Sequence, residues 1–336
     1  MLIVEFLLIL TGSVFLISAV RKNAVRFGLL DVPNERSTHK RRTARGAGIG
    51  FYLAVALILP IFHFDLLLKH LPIFVAIMLV FIVGLLDDHR DTSPKTKFVV
   101  IILSTLLLSI DHLYIDNLGV FFGANIHLGL WAAIPLTVFA VVGFTNALNL
   151  IDGLDGLAGT VSLVILGSFL YVGYQHDDMF MIVLSGSFIA ALLGFLYFNW
   201  HPASIFMGDS GSLTLGFVIA VLAIRSLEYI PAVSILFIAA LPILDTIIVM
   251  VRRKMKGRSM FEADRCHTHH IMRHFFHEDT PRTVVAFGVM QIIYSLTALQ
   301  IDKTVDSSIV ILLFIMNVVL MYLFLAAMIK RQKRDC

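Results

Sequence analysis

Five aspartates occupy three short polar stretches of an otherwise oily chain. Asp87 and Asp88 end Gly84-Leu85-Leu86-Asp87-Asp88, Asp152 and Asp155 lie in Asn146-Ala147-Leu148-Asn149-Leu150-Ile151-Asp152-Gly153-Leu154-Asp155-Gly156, and Asp209 lies in Phe206-Met207-Gly208-Asp209-Ser210-Gly211-Ser212. Carboxylates that converge repel one another, and a divalent cation relieves the repulsion. Carboxylate and amide oxygens suit Mg²⁺, which keeps several waters and shares itself with substrate phosphates; Mn²⁺ accepts the same ligands. The expected chemistry is therefore that of a metal ion with a diphosphate. The opposing charges are Lys40, Arg41, Arg42 and Arg45, then Lys95 and Lys97, then Arg265-Cys266-His267-Thr268-His269-His270. Guanidinium, ammonium and imidazole groups around a metal and carboxylates are the groups that phosphoryl transfer uses.

Each piece also has a plainer reading. Paired aspartates at the end of an apolar run can simply mark a solvated boundary. Glycines between Gly153 and Gly159 or between Gly208 and Gly216 can serve tight turns or close helix packing. Basic residues in 21–46 and 252–258 can act only as topology determinants drawn to anionic lipid. The late histidines could suggest zinc, but no further acid stands beside them and their neighbours are cationic. Cys266 and Cys336 have no metal-ligand or redox spacing. The argument for a site rests on the combination.

The elements that must position these residues follow from composition. Of 336 residues, 58% are hydrophobic and only 15% charged, too little polar surface for a water-soluble globule of this size. A layer of hydrocarbon about 30 Å thick needs runs of roughly 17–25 apolar residues, and eleven such runs are expected. Their cores are 2–20, 47–63, 72–86, 98–113, 127–146, 157–174, 180–198, 213–227, 231–251, 284–300 and 307–329. The first lacks a basic leader and is followed by Arg21 and Lys22, so it is expected to remain as a span and not to act as a signal peptide. With Met1 outside, 23 of the 26 Lys and Arg fall on cytoplasmic segments, leaving only Lys69, Arg225 and Lys303 opposite. An odd span count then puts the C-terminus in the cytoplasm. No internal repeat and no linker divides the chain, so residues 1–336 are expected to form one domain of an all-α polytopic membrane protein. The formal charge of +3 is grouped in loops and argues for a lipid bilayer as partner, with no nucleic acid. The stretches 114–126 and 175–179 between spans offer nothing notable.

With these pieces in view, the chain resembles the polyprenyl-phosphate N-acetylhexosamine-1-phosphate transferases. The matching stretches are Asp31-Val32-Pro33-Asn34 with Arg36 and His39, the Asp87-Asp88 stretch, Asn146 to Gly156, Phe206 to Ser212, and Asp264-Arg265-Cys266-His267-Thr268-His269-His270. They fall in family order between residues 31 and 270. The resemblance implies that Asn149 and Asp209 hold the metal, that Asp87 and Asp88 lie on the lipid-phosphate side, and that Lys97 contacts phosphates. It implies that Asp152 and Asp155 line the nucleotide site, that Asn199 and Phe206 contact the uracil, and that Lys40 lies near the site. His267, His269 and His270 would meet the sugar-phosphate of the donor, with Arg265 or the histidines stabilising developing charge.

Relatives that transfer phospho-N-acetylmuramoyl-pentapeptide carry three consecutive histidines and a Thr-Pro-Thr-Met-Gly-Gly stretch. This chain has His267-Thr268-His269-His270 and Thr43-Ala44-Arg45-Gly46-Ala47-Gly48 instead. It looks closer to the branch that uses UDP-N-acetylglucosamine to begin O-antigen or other lipid-linked envelope polysaccharides. Fucosamine- or quinovosamine-type donors are the alternative within the reaction class, and a polytopic transporter is the alternative outside it. The implied setting is a multi-pass protein of the plasma (inner) membrane with its site facing the cytoplasm, a UDP-sugar donor and a polyprenyl phosphate acceptor. A homodimer is kept open as an assembly.

Overall fold

The computed structural model describes residues 1–31, 42–259 and 267–332. Among them the chain runs through α1 (Leu2–Asn23), β1 (Leu30–Asp31), β2 (Thr43–Ala44), α2 (Ala47–Phe62), α3 (Phe64–Lys69), α4 (Leu71–Arg90) and α5 (Pro94–Leu108). It continues through β3 (Asn117–Phe121), β4 (Ala124–His127), α6 (Leu130–Ile151), α7 (Leu157–Gln175), α8 (Met179–Asn199) and α9 (Asp209–Ser226). The last elements are α10 (Ala232–Ile238), α11 (Ala240–Met255), α12 (Thr268–Phe275), α13 (Thr280–Leu299) and α14 (Ser307–Gln332).

Among the described residues, 8 helices are long and apolar enough to cross a membrane, namely α1, α4, α6, α7, α8, α9, α13 and α14. Each of the other three expected runs folds differently from a single long span. Run 47–63 forms α2, of 16 residues, and run 98–113 forms α5, of 15 residues. Run 231–251 splits into α10 and α11, which meet at 84°. Pro242 accounts for the split: it has no N–H to give to the Ile238 carbonyl, and its ring crowds that carbonyl. Backbone groups freed inside a membrane protein need replacement partners. Gln291 of α13 provides them, donating from Nε2 to the Ile238 carbonyl at 2.8 Å and accepting at Oε1 from the Leu241 N–H at 3.2 Å.

The stretch expected to be featureless after the fourth run is a hairpin, with β3 and β4 antiparallel and Phe121 opposite Ala124. It displaces the start of the next span, so that α6 begins at Leu130. A second small pair joins Leu30 to Ala44.

Helix α9 is the axis of the molecule. Of its most apolar window 83% is buried inside the protein, against 17% for α14, which lies at the periphery. It packs on α2, α4, α6 and α7. Such crowding demands small residues where backbones cross. A Cβ at Gly84 of α4 would fall on the Asp209 carbonyl, and one at Gly48 of α2 would fall on the Gly211 backbone. The start of α9 is stitched in further by loop bonds, Phe206 N–H to the Ala44 carbonyl (2.8 Å) and Gly48 N–H to the Met207 carbonyl (3.0 Å).

Polar contacts gather at the two ends of the bundle. One end holds Asp87, Asp88, Lys97, Asn149, Asp155, His201 and Asp209. The other holds Glu5 with His63, His70 with Asp111, and Asp178 with Arg225 and Tyr229.

Candidate active site

Helix termini bring the acidic residues together. Asp87 and Asp88 sit in the last turn of α4, Lys97 in the first turn of α5, Asn149 at the end of α6, and Asp209 at the start of α9. Ser93 caps α5 by accepting from the Thr96 N–H, which fixes where the helix begins and hence where Lys97 emerges.

Lys97 is the hub. Its Nζ lies 2.8 Å from Asp209 Oδ2 and 3.1 Å from Asp87 Oδ1. The other oxygen of Asp209 accepts from Asn149 Nδ2 at 2.9 Å, and the same amide reaches Ser212 Oγ at 2.7 Å. Asp87 Oδ1 also accepts from the Thr92 N–H and hydroxyl at 2.9 and 2.8 Å. Four of the expected residues, Asp87, Lys97, Asn149 and Asp209, thus form one connected group.

Asp88 does different work. It is 2% exposed and accepts from the Asp209 N–H (2.8 Å), the Ser210 N–H (3.1 Å) and the Ser210 hydroxyl. Its two oxygens occupy the unpaired N–H groups and positive end of α9, where a carboxylate is favoured. Asp88 therefore fixes Asp209 in place.

The Asp152–Gly156 loop follows α6. Asp152 is half-buried, and its carboxyl is pushed up to about 7, first by burial and then by the charges of Asp209, Asp155 and Asp88. Asp155 braces the loop after α8, accepting from His201 Nδ1 at 2.8 Å and the Ala203 N–H at 3.0 Å. Asn199, 3% exposed, joins the same two loops: its Oδ1 takes the Gly156 N–H and its Nδ2 gives to the Ile205 carbonyl. The structure thus engages both ends of the Asn199 amide in loop bonding, although the resemblance implied contact with a base. Phe206 lies half-buried beside Ala44 and Ala47.

The last loop joins the assembly through α12. His269 is 1% exposed, and a side chain at Gly153 would strike its Nε2, so the histidine element lies against the Asp152 loop. The His267 and His269 rings stack at 5.4 Å, and His270 lies 4.3 Å from His269. Lys40 and Arg265 lie outside the described residues, as do Val32 to Arg41, Asp264 and Cys266.

Sequence reasoning missed Thr92, Ser210, Ser212 and His201, whose types carry no signal until the backbone places them beside the acids. Asp245 was visible as an acid within an apolar run after Pro242, but nothing in its spacing paired it with the histidines.

A Mg²⁺-type ion fits this donor set. Among the described residues, Lys97 is the one ammonium paired with Asp87 and Asp209, and Asp152, raised first by burial and then by the charges of Asp209, Asp155 and Asp88, adds a further acid, so the described cluster carries excess charge of the sign a cation relieves. The side-chain oxygens of Asn149 and Asp209 are the ligands that would hold it. Amide nitrogen and oxygen are interchangeable by rotating the Asn149 side chain, which would turn its oxygen towards Asp209.

Comparison with known proteins gives the family of the chain. Residues 70–227 match the model of glycosyl transferase family 4. The chain is 30% identical over 331 residues, 97% of its own length and 91% of the other, to a "probable undecaprenyl-phosphate N-acetylglucosaminyl 1-phosphate transferase" of Bacillus subtilis. It is 32% identical to the undecaprenyl-phosphate alpha-N-acetylglucosaminyl 1-phosphate transferase of Yersinia pestis over 80% of this chain and 76% of that one. The Escherichia coli K12 protein of the same description is 31% identical over 77% of this chain and 74% of that one.

Proposed function

The chain belongs to glycosyl transferase family 4 and is by that membership a sugar-phosphate transferase of the membrane, and we propose that it moves N-acetylglucosamine-1-phosphate from UDP-N-acetylglucosamine to undecaprenyl phosphate. In the step, an oxygen of the lipid phosphate attacks the sugar-side phosphorus of the donor. A new P–O bond forms, the P–O bond to the bridging oxygen breaks, and UMP leaves with the electron pair. The product is undecaprenyl diphosphate N-acetylglucosamine, a starting unit for an envelope polysaccharide.

The observation that carries this reading is the Lys97 ammonium held between Asp87 and Asp209, beside the Asn149 amide. A phosphate monoester has a second pKa near 6, so the acceptor is already largely a dianion at pH 7 and needs no strong base. What it needs is neutralisation of the charge on the transferred phosphoryl group, to which Lys97 contributes one positive charge. Mg²⁺ held by Asn149 and Asp209 would supply further charge neutralisation there. Direct attack is favoured over an aspartyl-phosphate intermediate because the acceptor is already ionised; both Asp88 oxygens are occupied by α9, whereas Thr92 and Lys97 hold Asp87 through Oδ1, which leaves a covalent route through Asp87 as the alternative.

The proposed topology counts α2, α5 and the bent α10–α11 pair as crossings. It puts Met1 outside and the acidic end at the cytoplasmic face of the plasma membrane, where the UDP-sugar is found. The distribution of Lys and Arg supports it.

The test uses purified full-length protein in lipid nanodiscs with Mg²⁺, UDP-N-acetylglucosamine and undecaprenyl phosphate, and reads UMP together with the lipid product. UDP-N-acetylmuramoyl-pentapeptide and UDP-fucosamine- or quinovosamine-type donors run in parallel. Turnover should require the divalent ion and favour N-acetylglucosamine. Absence of UMP with every donor would reject the reaction, and preference for another donor would reject the choice of sugar.

A further inference from the structure

Asp245 is a carboxylate in the second turn of α11, 2% exposed, in a helix that enters the bundle interior. A charge there needs dedicated partners. It has them: Oδ2 lies 2.7 Å from His267 Nδ1, Oδ1 accepts from the Thr268 N–H at 2.6 Å, and His269 Nδ1 stands 3.8 Å from Oδ2. All three partners belong to the histidine element of the last loop.

The chain of causes starts at the helix break. Pro242 ends α10, Gln291 satisfies the opened backbone, and α11 leaves at 84° carrying Asp245 towards α12. There one oxygen takes the first N–H of α12, as an N-terminal cap does, and the other takes the ring of His267, the residue just before it. One carboxylate thereby fixes both the helix start and the imidazole. A carboxylate bound at Nδ1 makes that nitrogen the protonated one, so Nε2 is the nitrogen left to meet a ligand.

The three groups also come close enough to suggest a metal site. The Asp245 to His267 separation of 2.7 Å is instead that of a hydrogen bond, shorter than two ligands of one ion normally approach.

Resting on the reaction proposed above, we infer that Asp245 is a positioning residue for donor binding: it holds His267 with Nδ1 bound and Nε2 turned to the diphosphate of the UDP-sugar. His269 is the second ring in the stack and transmits the same placement to the Asp152 loop through its contact at Gly153.

The test compares Asp245→Asn, His267→Asn and the double variant with wild type, in nanodiscs, titrating donor and acceptor separately. Wild-type turnover judges the reaction itself, and the variants are read as ratios to wild type with whichever UDP-acetamido sugar it uses. If wild type turns over no donor, the reaction fails, and the inference is read instead from binding of UDP to wild type and variants. Asp245→Asn retains an oxygen for the Thr268 N–H but loses the charge. His267→Asn presents an amide near the Nδ1 position and nothing at Nε2. Each should raise the donor KM, or the Kd for UDP, at least fivefold and leave the acceptor KM within twofold. The double variant should be no worse than the poorer single one, since both changes act through one ring. A donor KM unchanged in either variant, donor and acceptor KM rising together, or additive effects would overturn the inference. Should Asp245→Asn fail to accumulate, His267→Asn alone decides, because its fold-preserving bond to Asp245 remains.

Discussion

Lys97 Nζ stands 2.8 Å from Asp209 Oδ2, joining the start of α5 to the start of α9 across more than a hundred residues of sequence. The ammonium is shared with Asp87, so it serves as counter-ion to two carboxylates and, in the proposed reaction, as a positive group beside the transferred phosphoryl. Lys97→Met removes the charge and keeps most of the volume. Turnover should fall at least a hundredfold, about 2.7 kcal/mol of barrier. Lys97→Arg keeps the charge but replaces a compact ammonium with a wide planar fork, and should recover only part of the loss. Initial rates at saturating substrates check both, and a Lys97→Met protein with near-normal turnover would remove Lys97 from the mechanism.

The two neighbouring aspartates of α4 should separate by phenotype. Asp88 holds the N-terminus of α9 through three donors, whereas Asp87 points to Lys97 and Thr92. Asp88→Ala leaves buried N–H groups without partners, at about 1–3 kcal/mol each. Its thermal midpoint in detergent should drop clearly below that of wild type, and activity should drop with it. Asp87→Asn should keep the midpoint and lose turnover. Equal midpoints for Asp88→Ala and wild type would show that α9 does not depend on this cap.

How much of this could be read beforehand divides along physical lines. The apolar runs were legible because a bilayer imposes their length, and each of the eleven has a helical counterpart. The exceptions came from local chemistry: α2 and α5 are shorter than a full span, and Pro242 breaks one run where the sequence alone suggested a continuous one. Convergence of Asp87, Asn149 and Asp209 was legible from their shared position at the ends of runs. The separate duties of Asp87 and Asp88, the bridging by Asn199, and the pairing of Asp245 with His267 were not. Each depends on which backbone N–H or ring lies within hydrogen-bond reach, a matter of helix rotation and not of spacing.

The break at Pro242 gives a prediction about stability that is independent of catalysis. Gln291 is fully buried, and its amide takes the Ile238 carbonyl that Pro242 cannot serve and the Leu241 N–H left free where α11 begins. Gln291→Leu has similar bulk but leaves the Ile238 carbonyl and the Leu241 N–H bare. With roughly 1–3 kcal/mol for each unsatisfied group, the cost should be about 2–6 kcal/mol. Thermal unfolding should shift down, whereas Gln291→Glu, which can keep an acceptor for Leu241, should cost differently at low and high pH. A midpoint unaltered by Gln291→Leu would mean that the two groups find other partners.

Asp152 links acidity, metal and stability in a way that can be measured without turnover. Its carboxyl is raised from 3.8 to about 7, chiefly by burial and then by Asp209, Asp155 and Asp88. A carboxyl raised in the folded state binds its proton more tightly there than in the unfolded chain. Its protonated form therefore favours folding at low pH, and that contribution is lost as pH rises from about 4 towards 7. With EDTA present, the thermal midpoint should fall between pH 5 and pH 8, and Asp152→Asn, which cannot ionise, should flatten that slope. Mg²⁺ bound at Asn149 and Asp209 would offset the charge of Asp209, so adding it should raise the midpoint more at pH 8 than at pH 5. A wild-type slope identical to that of Asp152→Asn would show that this carboxyl titrates as it does in the unfolded chain. A Mg²⁺ effect equal at both pH values would separate Asp152 from the metal.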